Sequence, residues 1–123
     1  MLLEEVTSKI IGAAMEVHRT LGPGFIESVY RNALCHELNV RNLSFECERE
    51  IQVRYKNQLV GKHRLDLLIE HCVIVEQKAT ASIVDAHLAQ ALSYMKATNI
   101  GLPLIVNFGT ASLTWKRLAK TRN

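Results

Sequence analysis

Proline is scarce, two residues in a chain of 123, and no stretch is rich enough in Pro, Ser or any other residue to read as a linker or a disordered tail. There is no internal repeat. Long apolar runs are also missing, since segments such as IIGAAM fall far short of the ~20 residues that a membrane helix needs. The first residues, MLLEEV, carry acids where a secretory signal carries bases. These absences set the expectation of a soluble, cytoplasmic protein with no membrane partner.

Cysteine is equally thin. Cys35, Cys47 and Cys72 are an odd number, far apart, with no CxxC and no Cys/His pairing at zinc-ligand spacing. They read as ordinary thiols in a reducing compartment, and a nucleophilic cysteine served by one of the five histidines has no local sequence in its favour. A strong charge bias is missing too. Net charge is +3 with a pI near 8.9, which permits a nucleic-acid partner without announcing one. The final segment, WKRLAKTRN, gathers Lys116, Arg117, Lys120 and Arg122, either as a solvated chain end or as phosphate contacts.

What is present is 48% hydrophobic residues, enough for one domain over residues 1–123 with a single core. Leu3, Val6, Ile10, Ala13, Ala14 and Val17 recur at helical steps, so the spacing predicts a helix from Leu3 to Thr20. LGPG at 21–24 breaks it. Helical spacing resumes from Phe25 to Leu38, with Gly24 at its start. Residues 44–55 alternate as a half-exposed strand, KNQ at 56–58 is a turn, and strands follow near 59–69 and 72–79. CVIVEQKA, rich in β-branched residues, reads as a central strand. A helix over 83–97, a strand over 101–109 and an edge strand over 112–118 complete the chain. The order predicts an α/β (α+β) domain with a mixed central sheet flanked by helices.

RLDLLIEHCVIVEQKA, residues 64–79, places Asp66, Glu76 and Lys78 where a sheet favours valine. If Glu70, His71 and Cys72 form the connection, Ile69 faces Val73 and the register sets Asp66 opposite Glu76; a two-residue turn shifts this pairing by one. In the first register, Lys78 joins the two carboxylates on their face. Two buried carboxylates repel and need a positive neighbour, which a divalent metal supplies, and hard oxygen donors suit Mg²⁺ or Mn²⁺. The alternative is a structural ion pair at a strand end. Glu27 and Tyr30, three apart on the second helix, share a face; each also has an ordinary explanation, Glu27 at the helix amino terminus and Tyr30 in the core. His87, Gln90 and Tyr94 form a polar stripe on the third helix, either its wet face or a substrate-holding one.

Gly24, Glu27 and Tyr30 spell GxxExxY, and with RLDLLIE, VIVEQKA, HLAQALSYMKAT and VNFG in that order the chain resembles the GxxExxY protein family, placed among PD-(D/E)XK nuclease-like proteins. The resemblance runs from about Leu21 to Gly109. It implies a restriction-endonuclease-like core in which Asp66 matches the motif's Asp, and Glu76 and Lys78 match the (D/E)xK pair. Glu27 matches a helix-borne acid that assists the metal, and Gln90 with Tyr94 a QxxxY element. Gln77 and Ser93 stand where apolar or Asn residues are expected. The implied activity is Mg²⁺- or Mn²⁺-dependent hydrolysis of nucleic acid, DNA first. Asp66, Glu76 and Glu27 would hold the metal and Lys78 would serve the attacking water, while Gln90, Tyr94, Tyr30 and His87 place substrate. The competing readings are a binding module that retains the fold without turnover, and hydrolysis of a smaller phosphate ester. The small size leaves sequence selection to a homodimer or a partner protein.

Overall fold

The computed structural model describes residues 1–118. Lys120 and Arg122 of the basic tail lie outside them. The expected element order appears in full: α1 (Leu3–Leu21), α2 (Glu27–Val40), β1 (Phe45–Tyr55), β2 (Gln58–Ile69), β3 (Val73–Lys78), α3 (Asp85–Thr98), β4 (Leu102–Asn107) and β5 (Thr114–Arg117). The sheet has five strands in the order β1-β2-β3-β4-β5. β3 and β4 are parallel and joined through α3, as a parallel pair requires a crossover, while the other neighbours are antiparallel. No helix among the described residues is long and apolar enough to cross a membrane.

β3 lies in the middle, so both its faces are covered and its sequence reads almost continuously apolar. One face packs against α1 and α2: Val6, Ile10, Ala14, Leu34 and Leu38 meet Leu67, Ile69, Val73, Val75, Leu104 and Val106. A smaller cluster of Ile51, Leu65, Leu68 and Ile74 packs around Tyr94 of α3.

Most element ends fall within one or two residues of expectation, and two local departures have a clear cause. The second helix starts at Glu27, not at Phe25, because Gly22 and Gly24 adopt positive φ and Ile26 stays extended as the N-cap. The hairpin between β1 and β2 turns on two residues, Lys56 and Asn57, both at positive φ, and Gln58 already pairs with Tyr55. A left-handed pair at the turn matches the twist of the flanking strands.

Candidate active site

The connection after β2 is the three-residue one: Ile69 pairs with Val73, Leu68 with Ile74 and Leu67 with Val75. The next pair in this register would be Asp66 with Glu76. The ladder ends first, and the Asp66 carboxylate fills the opening, its Oδ2 accepting the backbone N–H of Gln77 at 2.9 Å. A side chain has taken over a bond the sheet would have made, so Asp66 and β3 are held together while the strands part.

The reason lies in a reversal of faces. Phe45 packs on the α1/α2 cluster, as do Leu67 and Ile69, and Cys47 lies against Cys35 of α2. Ile51 and Leu65 instead join the cluster around Tyr94, and the His63 ring sits 5.7 Å from the Tyr94 ring. Residues separated by even steps along a strand should stay on one face. Here they change face between Cys47 and Ile51 and between Leu65 and Leu67. Glu48 and Asp66 fall at the crossing, and Glu48 has a φ of 52°. The hairpin turns over at this pivot, which frees Asp66 from the ladder.

Glu76 is 3% exposed, and its Oε1 is a buried atom with no hydrogen-bond partner among the described residues. Its pKa is pushed up to about 8, chiefly by burial and then by the charge of Asp66, with Lys78 acting in the other direction. Asp66 is also raised, first by burial, with the Gln77 N–H and Lys78 acting in the other direction. The pair is therefore short of positive charge. Lys78 Nζ donates a long hydrogen bond of 3.5 Å to Gln90 Oε1, and Gln90 Nε2 donates to the Tyr94 hydroxyl at 3.1 Å. Helical i, i+4 spacing makes the second link, and β3 supplies the lysine.

Glu27 is the first residue of α2 and is exposed. Its charge contributes to the upward shifts of both Asp66 and Glu76, which puts it within electrostatic reach of the pair. Gln77, a departure from the expected apolar residue, explains how it is placed. Its side chain leaves β3 on the opposite face from Glu76, is 2% exposed, and donates from Nε2 to the Glu27 carbonyl at 2.9 Å.

Three of the expected substrate contacts sit differently. Tyr30 is fully buried, stacked on Phe108 with centroids 4.7 Å apart, and its hydroxyl donates to Gly22 O at 2.6 Å and accepts from Phe25 N at 3.1 Å. Its hydroxyl staples the LGPG loop. Tyr94 is 4% exposed because Ile51 and Leu65, carried over by the pivot, cover it, so its stripe is not a wet face. His87 is half-buried and accepts the Val84 N–H at Nδ1, 3.2 Å away, capping the start of α3.

Asn107 was not singled out by the sequence patterns, although the VNFG segment contains it. Its Oδ1 accepts the N–H groups of Thr80 and Gly109, and its Nδ2 donates to Thr80 O, each at 3.0 Å. This fixes the chain immediately after Lys78. A Cβ at Gly109 would collide with the Thr80 backbone, so the close approach requires glycine. An Asn inside an apolar strand was the available signal.

Among the described residues, no group of three or more His, Cys, Asp or Glu side chains is placed to hold a metal ion. The donors that are present fit a hard cation bound by two carboxylates with water completing the shell: the unpartnered Glu76 Oε1, Asp66 beside it, and a raised carboxyl pKa that positive charge would relieve. The family model of the PD-(D/E)XK nuclease superfamily matches residues 4–118. No curated protein and no solved structure matches the chain. The mixed five-stranded sheet with its three helices agrees with a restriction-endonuclease-like fold.

Proposed function

The chain belongs to the PD-(D/E)XK nuclease superfamily, and on that premise we propose that it is a Mg²⁺- or Mn²⁺-dependent nuclease that hydrolyses phosphodiester bonds, with DNA as its substrate. The observation that carries this reading is Glu76: a carboxyl buried in the central strand, beside Asp66, with an oxygen that no protein group satisfies. Such an arrangement costs stability, and strained carboxyls of this kind cluster at sites of chemistry.

Asp66 and Glu76 would hold the cation, with Glu27 supporting it from the start of α2. When bound, it supplies positive charge against the phosphate and lowers the pKa of water. Lys78 orients the attacking water and stabilises charge that develops on the phosphoryl oxygens. Gln90 holds Lys78 by its ammonium group, and Tyr94 fixes the Gln90 amide in turn. Gln77 holds the α2 terminus at the site, and Asn107 holds the strand exit. The protein works in the cytoplasm, and a second copy or a partner protein supplies any sequence selection.

The scattered third acid favours a second reading, a nucleic-acid or protein binding module that keeps the fold without turnover. The discriminating experiment incubates the protein with labelled single-stranded DNA, duplex DNA and RNA, with Mg²⁺, Mn²⁺ or EDTA. Cleavage of DNA that needs the metal and falls about 10²–10⁴-fold in Lys78→Ala supports the nuclease. Binding without cleavage on every substrate supports the module.

A further inference from the structure

Beyond the pivot, the β1–β2 hairpin forms an arm that the carboxylate site does not use. Between Arg49 and Arg64 it carries Arg49, Arg54, Lys56, Lys62 and Arg64 against a single acid, Glu50. The whole chain is only +3, so the basic excess of the molecule is concentrated here. All five cations are exposed. Gln52 pairs with Lys62 and Glu50 with Arg64, so the pleat turns Lys62 and Arg64 away from Tyr94, while Arg54, beyond a register shift on the edge strand β1, reaches the α3 side.

Lys62 pairs with Glu50 at 3.4 Å and Arg49 with Glu46 at 3.4 Å. Among the described residues, the Arg54 guanidinium donates to neutral groups alone, Gln52 Oε1 at 3.2 Å and Asn57 O at 3.5 Å. Among the described residues, no carboxylate pairs with Arg54 or with Lys96 of α3. These two cations line one groove of about 470 Å³ between the arm and α3, completed by Gln52, Val53, Ser93 and Ala97. No acid lines it. Ser93 donates to the Gln90 carbonyl at 2.8 Å, so the groove lies along α3 one turn from the side chain that holds Lys78.

We propose that this groove, with Arg54 and Lys96 as its phosphate contacts, carries the sugar–phosphate backbone of the nucleic acid and leads it to Asp66, Glu76 and Lys78. The inference rests on the nuclease reading for what happens at the end of that path. Unneutralised guanidinium and ammonium groups beside the Gln52 amide suit a phosphate chain, and the exposed Tyr55 at the tip, with Lys56 Nζ 5.4 Å from its ring centroid, adds a flat surface for a base. An acidic protein surface would use the same cations, and competition between poly-glutamate and DNA separates the two.

The test is fluorescence anisotropy with labelled DNA in EDTA, which measures binding without cleavage, on wild type, Arg54→Gln/Lys96→Gln and a control that removes two α1 cations, Lys9→Gln/Arg19→Gln. Both groove residues are exposed, so thermal melting should be unchanged. The groove variant should bind about tenfold more weakly, and its slope of log affinity against log salt should fall by about 1.4–1.8, the loss of two phosphate contacts. The control should match wild type. Wild-type affinity and slope in the groove variant would overturn the proposal, as would no DNA binding by wild type or competition by poly-glutamate as effective as by DNA. Failed cleavage with this binding intact would sink the nuclease reading alone; cleavage with unaltered binding in the groove variant would sink the groove alone.

Discussion

Asp66 Oδ2 accepts the backbone N–H of Gln77 at 2.9 Å where the next ladder bond between β2 and β3 would fall. One carboxylate thus has two tasks, closing the gap in the sheet and facing Glu76. The two separate by substitution. Asp66→Asn retains an oxygen that accepts the Gln77 N–H, so it should remain within about 1 kcal/mol of wild type in urea unfolding. Asp66→Ala leaves that N–H unpaired and should lose about 1–3 kcal/mol. Both should lose metal-dependent cleavage, which shows whether the charge or the bond serves the chemistry.

Glu76 makes the metal-free protein sensitive to pH. Its folded pKa of about 8 lies above the ordinary 4.5, so the folded state holds a proton that the unfolded chain releases. Stability is then fullest below about 4.5 as far as this group is concerned, and is lost as pH rises through 8. Melting temperature in EDTA should fall between pH 6 and pH 9 in wild type and fall less in Glu76→Gln. Mg²⁺ should restore wild type at the alkaline end.

Tyr30→Phe removes the hydroxyl that bridges Gly22 O and Phe25 N while leaving the ring stacked on Phe108. Unfolding should become easier by about 1–2 kcal/mol. DNA affinity measured in EDTA should not change, because the hydroxyl is turned inward; a loss of affinity without a loss of stability would return Tyr30 to the substrate.

Gln90→Ala should release Lys78 and the Tyr94 hydroxyl together. Cleavage should fall, with the loss in kcat and little change in KM, since the amide positions a group and does not grip substrate. Lys78→Ala in the Gln90→Ala background should then cost less than it does alone, the non-additivity expected of residues that act as a unit.

Much of this was legible before any coordinates. Helical and alternating periods located all eight elements, because α1, β2 and β3 bury one or both faces and their apolar residues mark it. The register that carries Asp66 toward Glu76 was one of two that the sequence allowed, and the three-residue turn selects it. The pivot was not legible: each half of β1 and β2 keeps its alternation, and only packing against different helices shows that the faces exchange between Leu65 and Leu67. Everything downstream of that exchange was hidden with it, including the burial of Tyr94 and the groove beside Lys96. Gln77 looked like an irregularity in an apolar strand; its amide is what ties β3 to the Glu27 carbonyl. Tyr30 shared a helix face with Glu27 in the sequence, but the helix begins late and the loop claims its hydroxyl.

The most direct measurement compares wild type with Glu76→Gln, a substitution that keeps the shape of the side chain and removes its charge. Labelled DNA is incubated with each protein at matched folded concentration in Mg²⁺. Wild type should cleave, EDTA should stop it, and Glu76→Gln should be slower by more than about 100-fold while still binding the DNA. Equal cleavage by the two proteins would contradict the account, because the buried carboxyl at the centre of the sheet would then have no part in the chemistry.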